Sequence, residues 1–153
     1  VWRDRDQVRF VRDVPDVEPV EVGAAGVETA AGRLVRTALE AVPDAFGASP
    51  WEETVDADAV GGALVLRAWR AGDRVRPVGG GGERLVSDLL REAGVPPSER
   101  AGRLVVEAGG RVAWVVGVRL AAWAGVTAAT RRAERWTWAP EMAGGVVGDS
   151  RTG

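Results

Sequence analysis

The segment Leu64-Val-Leu-Arg-Ala-Trp-Arg70, followed by Ala71-Gly72-Asp73, carries the clearest structural signal in the 153-residue chain. Its apolar residues predict a β-strand over 64–70, and the Ala-Gly-Asp sequence predicts a turn that ends it. Residues 74–82 are rich in arginine and glycine, which predicts a loop. An apolar stripe at helical spacing then predicts a helix over about 83–93, with Gly94 just past its end.

Beyond this helix the sequence indicates strands. Two adjacent prolines at 96–97 prevent the helix from continuing. Apolar runs over 103–108 and 111–120 predict two strands, joined at Gly109-Gly110 by a two-residue hairpin turn. A last strand is predicted over 126–138, and the glycine-rich residues 141–153 predict a loose tail.

The first 63 residues carry weaker patterns. They predict a half-exposed strand over 1–12, a second strand over 17–22 and a hairpin within 27–39 that turns at 31–32. A loop follows over 43–49, and the acidic residues 51–62 lead into the next unit. Because the chain begins at Val1 in strand-like sequence, we expect it to be a piece of a longer protein.

The composition excludes most catalytic chemistry. The chain contains no histidine, cysteine or lysine, and all 20 of its basic residues are arginine. It therefore lacks an imidazole base, a thiolate nucleophile, a thiolate or imidazole zinc site, and a lysine for a Schiff base or phosphate loop. We expect no catalytic residue, metal site or resident cofactor in this chain. No apolar run is long enough to span a membrane, so we expect no membrane contact.

The charge is divided along the chain. Residues 1–63 carry six arginines and thirteen acidic residues, whereas residues 64–140 carry thirteen arginines and seven acidic residues. We divide the chain accordingly into an acidic first subdomain (1–63), a basic domain (64–140) and a flexible tail (141–153). The asymmetry has two interpretations: the basic part faces a polyanion, or the two parts attract each other.

The arginines at 67, 70, 74, 76 and 84 form the strongest candidate site. Their planar guanidinium groups suit phosphate, which favours RNA binding, although a charged strand edge that resists aggregation would have the same composition. The four glycines at 79–82 do not fit a phosphate loop, because the lysine of that motif is absent. Trp136 and Trp138 share one strand face and could stack on bases, but core packing is the favoured interpretation.

Several motifs in one order resemble a known family. They are Leu66-Arg-Ala-Trp-Arg-Ala-Gly-Asp-Arg-Val-Arg-Pro-Val-Gly79, Leu85-Val-Ser-Asp-Leu-Leu90, Val95-Pro96, Val112-Ala-Trp-Val-Val-Gly-Val-Arg119 and Val126-Thr-Ala-Ala-Thr-Arg131. Together they resemble the C-terminal domain of bacterial tRNA(Ile)-lysidine synthetases over 64–138. The chain departs from the family pattern at Ala71, where the family has proline, and at Arg84-Leu85, where it has two lysines.

This resemblance implies a fold and a function. The fold would be α+β: a β-rich, sandwich-like domain with one main helix, similar to a domain of the phenylalanyl-tRNA synthetase β subunit. The parent enzyme would be a cytoplasmic ligase that uses ATP, with Mg, to join lysine to the wobble cytidine of tRNA(Ile). Its PP-loop ATPase domain, with a Ser-Gly-Gly-x-Asp-Ser motif, is absent from this chain.

The resemblance also implies partners and binding residues. This chain alone would be non-catalytic and would hold the acceptor arm of tRNA(Ile) beside the PP-loop domain, with a homodimer possible. The candidate tRNA-binding residues are Arg67, Arg70, Arg74, Arg76, Arg84, Ser87, Arg131 and Arg132. The alternative is a structural or interaction module that docks on an acidic protein partner or on its own catalytic domain.

Overall fold

The structure, a computed structural model, describes residues 18–43, 49–79 and 81–140. Its larger sheet has five antiparallel strands. In spatial order they are β10 (Arg119–Leu120), β9 (Arg111–Val115), β8 (Leu104–Ala108), β5 (Leu64–Ala68) and β1 (Val20–Val22). The predicted hairpin is confirmed, since β8 and β9 pair across Gly109 and Gly110, both of which adopt positive φ.

The second sheet has four antiparallel strands. Their order is β2 (Gly26–Thr29), β3 (Gly32–Ala38), β11 (Ala133–Pro140) and β4 (Glu52–Asp56). The predicted hairpin within 27–39 is confirmed: β2 and β3 pair directly. Each sheet contains strands from both sides of residue 63, so the division by charge does not separate the two sheets.

Two short strands and two short helices complete the described fold. The elements are β6 (Arg74–Val75), β7 (Arg84–Leu85), α1 (Val86–Glu92) and α2 (Pro97–Arg100), and a 3-10 turn spans Ala122–Ala124. The helix predicted over 83–93 begins only at Val86, because Arg84 and Leu85 pair with β6 instead. Pro97 lies in the first turn of α2. An amide hydrogen at that position has no partner within the helix, so proline loses no hydrogen bond there.

Three predicted strands are shorter than the sequence indicated. The strand from Leu64 ends at Ala68, shortly before the turn that Arg70 and Asp73 close. The run over 111–120 is broken at Gly117, whose positive φ allows a turn between β9 and β10. The last strand begins at Ala133, not at 126, because Thr127 and Thr130 bond to each other's backbone in a preceding turn. Apolar content alone does not show such turns.

The two sheets enclose one hydrophobic core, which confirms the strand-rich, α+β fold class. Trp114 of the larger sheet lies 6.2 Å from Trp136 of the smaller one, measured between ring centroids, with the rings tilted by 39°. Trp136 is fully buried and Trp138 nearly so, which confirms that these residues belong to the core. No helix in the described part of the chain is long and apolar enough to cross a membrane. The predictions for residues 1–12 and 141–153 lie outside the described residues.

Trp51 contacts residues of both halves of the sandwich. Its backbone carbonyl accepts a hydrogen bond from the Trp138 amide at 2.9 Å, and the Arg103 guanidinium lies 5.3 Å from its ring centroid. The ring also lies directly against Gly117: a Cβ added there would approach Trp51 ring atoms to 2.4 Å. Glycine is therefore required at position 117 for two reasons: the backbone is left-handed there, and a side chain would collide with the Trp51 ring.

We expect Gly117→Ala to destabilise the fold more than Gly94→Ala. Both glycines have similar backbones, with φ of +79° and +82°, but an added Cβ at Gly94 meets nothing within 4 Å. Gly94→Ala should cost about 1 kcal/mol of unfolding free energy, whereas displacing Trp51 should add roughly 1–3 kcal/mol at Gly117. Urea unfolding of both variants measures the difference. Equal losses would show that Trp51 moves aside without cost.

Glu53 of β4 gives the fold a pH dependence near neutrality. Burial raises the pKa of Glu53 to about 7, against a smaller lowering by the positive charge of Arg119. A carboxyl whose pKa is raised by folding favours the folded state when protonated. Stability should therefore fall as the pH rises from about 4.5 through 7. In Glu53→Gln, which stays neutral, unfolding measured from pH 5 to 8 should lose most of this slope, and an unchanged slope would contradict the assignment.

Candidate nucleic-acid interface

Asp73 organises the turn that follows β5. Its amide donates to the Arg70 carbonyl at 3.0 Å, and its Oδ2 accepts from the Arg70 amide at 2.7 Å. Gly72 has φ of +94°, the conformation that the third position of a type II turn requires. The Asp73 carbonyl also accepts a hydrogen bond from the Val86 amide at the start of α1. One aspartate therefore connects the strand, the turn and the helix.

Arg67 is the buried cation of this site, with only 3% of its surface exposed. Its Nη1 donates to Asp73 Oδ2 at 2.9 Å and to the Ala68 carbonyl at 3.0 Å, and its Nη2 donates to Asp73 Oδ1 at 3.1 Å. Its Nε donates to Glu107 Oε2 on the neighbouring strand β8 at 3.1 Å. The sequence placed Arg67 among the tRNA-binding candidates, but the structure directs its guanidinium to two carboxylates and not to solvent.

The ion pair has a clear effect on Asp73. Burial alone would raise the pKa of Asp73, but the hydrogen bonds from the Arg67 guanidinium and the Arg70 amide outweigh burial and lower the pKa below its usual value. Asp73 is thus held as an anion, and its charge is compensated by Arg67. The remaining arginines of the turn and loop keep their positive charge available for a ligand.

The segment 74–78 is held in place from the other side by residues 119–122. The Val78 amide donates to the Leu120 carbonyl at 2.9 Å, and the Ala122 amide donates to the Arg76 carbonyl at 2.8 Å. Arg119 Nη2 donates to the Val78 carbonyl at 2.6 Å. The residues predicted as an arginine-rich loop are therefore a short strand and a fixed extended segment up to Val78, with the arginine side chains at 74 and 76 exposed.

A cleft of about 440 Å³ lies between this segment and the β8–β9 turn. Four arginines line it, together with two acidic residues, Asp73 and Glu83; the arginines are Arg67, Arg74, Arg76 and Arg111. Since Arg67 compensates Asp73, the lining retains three exposed arginines against Glu83. The cleft is therefore positively charged and concave, which is the combination that attracts and concentrates anions.

Arg111 and Trp123 belong to this cleft although sequence reasoning missed both. Arg111 opens strand β9, and its guanidinium carbon lies 4.2 Å from the Trp123 ring centroid. Trp123 is fixed in turn, because its Nε1 donates to the Val112 carbonyl at 3.0 Å. The only sequence signal was that Arg111 directly follows the Gly109-Gly110 turn, and nothing local relates that turn to Arg74 or Arg76.

The eight predicted residues do not form one cluster. Arg74 and Arg76 line the cleft, and Arg70 is exposed in the turn beside it. Arg84, which precedes α1, pairs with Glu92 at the end of that helix, and Ser87 is partly exposed on the same helix. The last two candidates, Arg131 and Arg132, lie in the segment before β11.

The arginines near β11 contact the acidic first part of the chain. Arg132 donates to Asp58 Oδ1 at 2.6 Å, and Arg135 pairs with Glu52 at 3.0 Å. These contacts follow the second interpretation of the charge asymmetry, in which the two halves attract each other. The first interpretation, a surface for a polyanion, remains available at the cleft. No cluster of three potential metal ligands occurs among the described residues.

Comparison with protein families adds an independent observation to this geometry. A family model described as the TilS substrate C-terminal domain matches residues 64–138, from the start of β5 through most of β11. Over this range the chain belongs to that family. The range contains every residue of the cleft, including Arg111 and Trp123. The resemblance drawn from the sequence motifs is thereby confirmed.

Similar curated proteins carry the corresponding name. The chain is 37% identical over 98 residues to a tRNA(Ile)-lysidine synthase of Symbiobacterium thermophilum and 30% identical over 142 residues to one of Geobacter sulfurreducens. A third, of Bacteroides thetaiotaomicron, is 33% identical over 89 residues. The matches cover 63%, 86% and 57% of this chain, but only 19%, 29% and 21% of the relatives. The chain thus spans less than a third of their length.

A solved structure supports the fold. A crystal structure of a TilS C-terminal domain superposes with a TM-score of 0.68 and covers 82% of this chain and 99% of the crystallised one, at 23% sequence identity. The TilS C-terminal fold therefore extends beyond the family match at 64–138 and includes strands from the acidic first part of the chain.

We expect Asp73→Asn to remove the main ion pair of the turn. Because folding lowers the pKa of Asp73, its contribution is present above the unfolded value of about 3.9 and is lost as the pH falls through the folded value. At pH 7 the variant should lose about 3 kcal/mol of unfolding free energy, since it leaves Arg67 buried with one partner fewer. Its stability should then depend less on pH between 5 and 2.

The control is Asp58→Asn, which removes a carboxylate from the exposed pair with Arg132. Solvent screens an exposed ion pair, so this variant should stay close to the parent chain at pH 7. Chemical unfolding at each pH compares the two. If both variants lose the same stability, the buried network does not hold the turn.

Proposed function

We propose that this chain is the tRNA-binding C-terminal part of a tRNA(Ile)-lysidine synthase. The observation that carries the proposal is the cleft: three exposed arginines, Arg74, Arg76 and Arg111, converge on one concavity inside the matched family domain. Arginine presents paired donors to phosphate oxygens. The acidic residue closest to them in sequence, Asp73, is already paired with Arg67 and does not repel an RNA backbone.

The chemistry of the parent enzyme belongs to another domain. In this proposal ATP, with Mg, acts in a PP-loop domain, where lysine is joined to the wobble cytidine of tRNA(Ile) in the cytoplasm. This chain contributes binding energy and orientation, because the cleft offers arginines that can donate hydrogen bonds to phosphate oxygens. Its contact with the acceptor arm would position the tRNA while the other domain acts.

The second candidate function, docking on an acidic protein partner, has support from a different set of residues. Arg36, Arg132 and Arg135 each pair with a carboxylate, and all three of these pairs join the first and second parts of the chain. This pattern shows that arginines of this fold do serve protein contacts. RNA is nevertheless the favoured ligand of the cleft, because the arginines of its rim face solvent.

The test compares two double variants of equal charge. Arg74→Ala/Arg76→Ala should weaken binding to an RNA hairpin with the acceptor stem of tRNA(Ile) and reduce the slope of log affinity against log salt by up to roughly 1.8, about 0.9 for each lost phosphate contact. Arg33→Ala/Arg91→Ala removes the same charge from exposed positions on β3 and α1. Filter binding between 50 and 300 mM salt measures both slopes.

The control double variant should keep a slope close to that of the parent chain. Equal losses in the two variants would mean that only net charge matters and that the cleft has no particular role. An unchanged slope in Arg74→Ala/Arg76→Ala would contradict the proposed phosphate contacts. Binding to an isolated PP-loop domain with no RNA binding at low salt would favour the protein-docking alternative.

A further inference from the structure

The cleft has the size of a small-molecule site. At about 440 Å³ it falls within the range of roughly 300–1,000 Å³ that is typical of pockets for drug-sized ligands. A double helix can lie across the mouth of such a cleft but cannot enter it. If the cleft serves RNA recognition, as the proposed function holds, its interior has room for one nucleotide but not for a duplex.

The Arg111 guanidinium, which lies over the Trp123 ring, forms one wall of the cleft. Arg111 covers the Trp123 ring at 4.2 Å, and the hydrogen bond from Trp123 to the Val112 carbonyl holds that ring in place. The exposed guanidinium is planar and weakly hydrated, so it can stack on a nucleobase. Stacking of unpaired bases on aromatic rings and arginine planes is the usual way in which proteins recognise single-stranded RNA.

The other polar groups that line the cleft suit the rest of a nucleotide. Arg74 and Arg76 are exposed at the lining and can bind its phosphate. Glu83 is the acidic residue of the lining that Arg67 does not pair with, and its carboxylate can accept a hydrogen bond from an exocyclic amino group of a base. Stacking surface, phosphate donors and a base acceptor thus surround one cavity.

We infer that the cleft binds one unpaired nucleotide of the RNA, with its base stacked on the Arg111–Trp123 pair and its phosphate on Arg74 and Arg76. The inference rests on the proposed function and deepens it: phosphate contacts alone would accept any duplex, whereas this cavity distinguishes an RNA with an unpaired nucleotide from a fully paired one. Arg111 is then the residue that determines this preference.

The experiment uses the 153-residue chain and two RNA hairpins with the same stem, each closed by a non-nucleotide linker so that no loop base is unpaired. One hairpin is blunt, and the other has a four-nucleotide 3′ overhang that contains 2-aminopurine. The overhang hairpin should bind roughly tenfold more tightly, and the fluorescence of 2-aminopurine should be quenched on binding. Arg111→Lys keeps the charge but loses the planar group, so it should bind both hairpins equally and lose the quenching. Arg91→Lys, on the exposed side of α1, is the matched control and should retain the preference.

The outcomes separate this inference from the proposed function. Equal, salt-dependent binding of both hairpins by the parent chain would overturn the nucleotide site and leave phosphate binding intact. A preference that survives in Arg111→Lys would also overturn it, because the stack would then contribute nothing. If neither hairpin binds, both proposals fail. Near-UV circular dichroism of Arg111→Lys checks that Trp123 remains in its fixed environment.

Discussion

The buried guanidinium of Arg67 is the constraint on which the arrangement of the cleft depends. A charge in the interior of a small domain is costly unless it is paired and its hydrogen-bond donors are satisfied. Here Asp73 and Glu107 supply the pairing, and the Ala68 carbonyl takes one further bond. The side chain therefore stabilises three things at once: the pairing of β5 with β8, the turn after β5, and the start of α1 through Asp73.

The same network separates the arginines into two kinds. Arg67 stabilises the fold. Because it forms an ion pair with Asp73, that carboxylate does not compete with a ligand for the exposed arginines. Arg74 and Arg76 lie only a few residues further on, but β7 pairs with the backbone of Arg74, residues 119–122 hold that of Arg76, and both side chains line the cleft. A motif with several arginines thus combines a buried cation that fixes the backbone with exposed cations that a ligand can reach.

The distribution of tryptophan follows a similar division. Trp114 and Trp136 meet between the sheets and contribute to the core, whereas Trp51 covers Gly117 at the edge of the sandwich. Trp123 alone among these presents its ring to the cleft, under Arg111. Burial determines the role in each case, since a fully enclosed ring cannot meet a ligand.

The sequence by itself determined a strand that begins at Leu64, the glycine hairpin at 109–110, the existence of one main helix and the family, because these depend on local periodicity, turn chemistry and the order of motifs. It could not separate Arg67 from Arg74, since both are arginines in one motif and only the contacts of Arg67 with Asp73 and Glu107 in the folded chain distinguish them. Tertiary structure alone brought Arg111 and Trp123 to the cleft. Contacts between residues distant in sequence depend on strand order and register, and no local pattern encodes those directly.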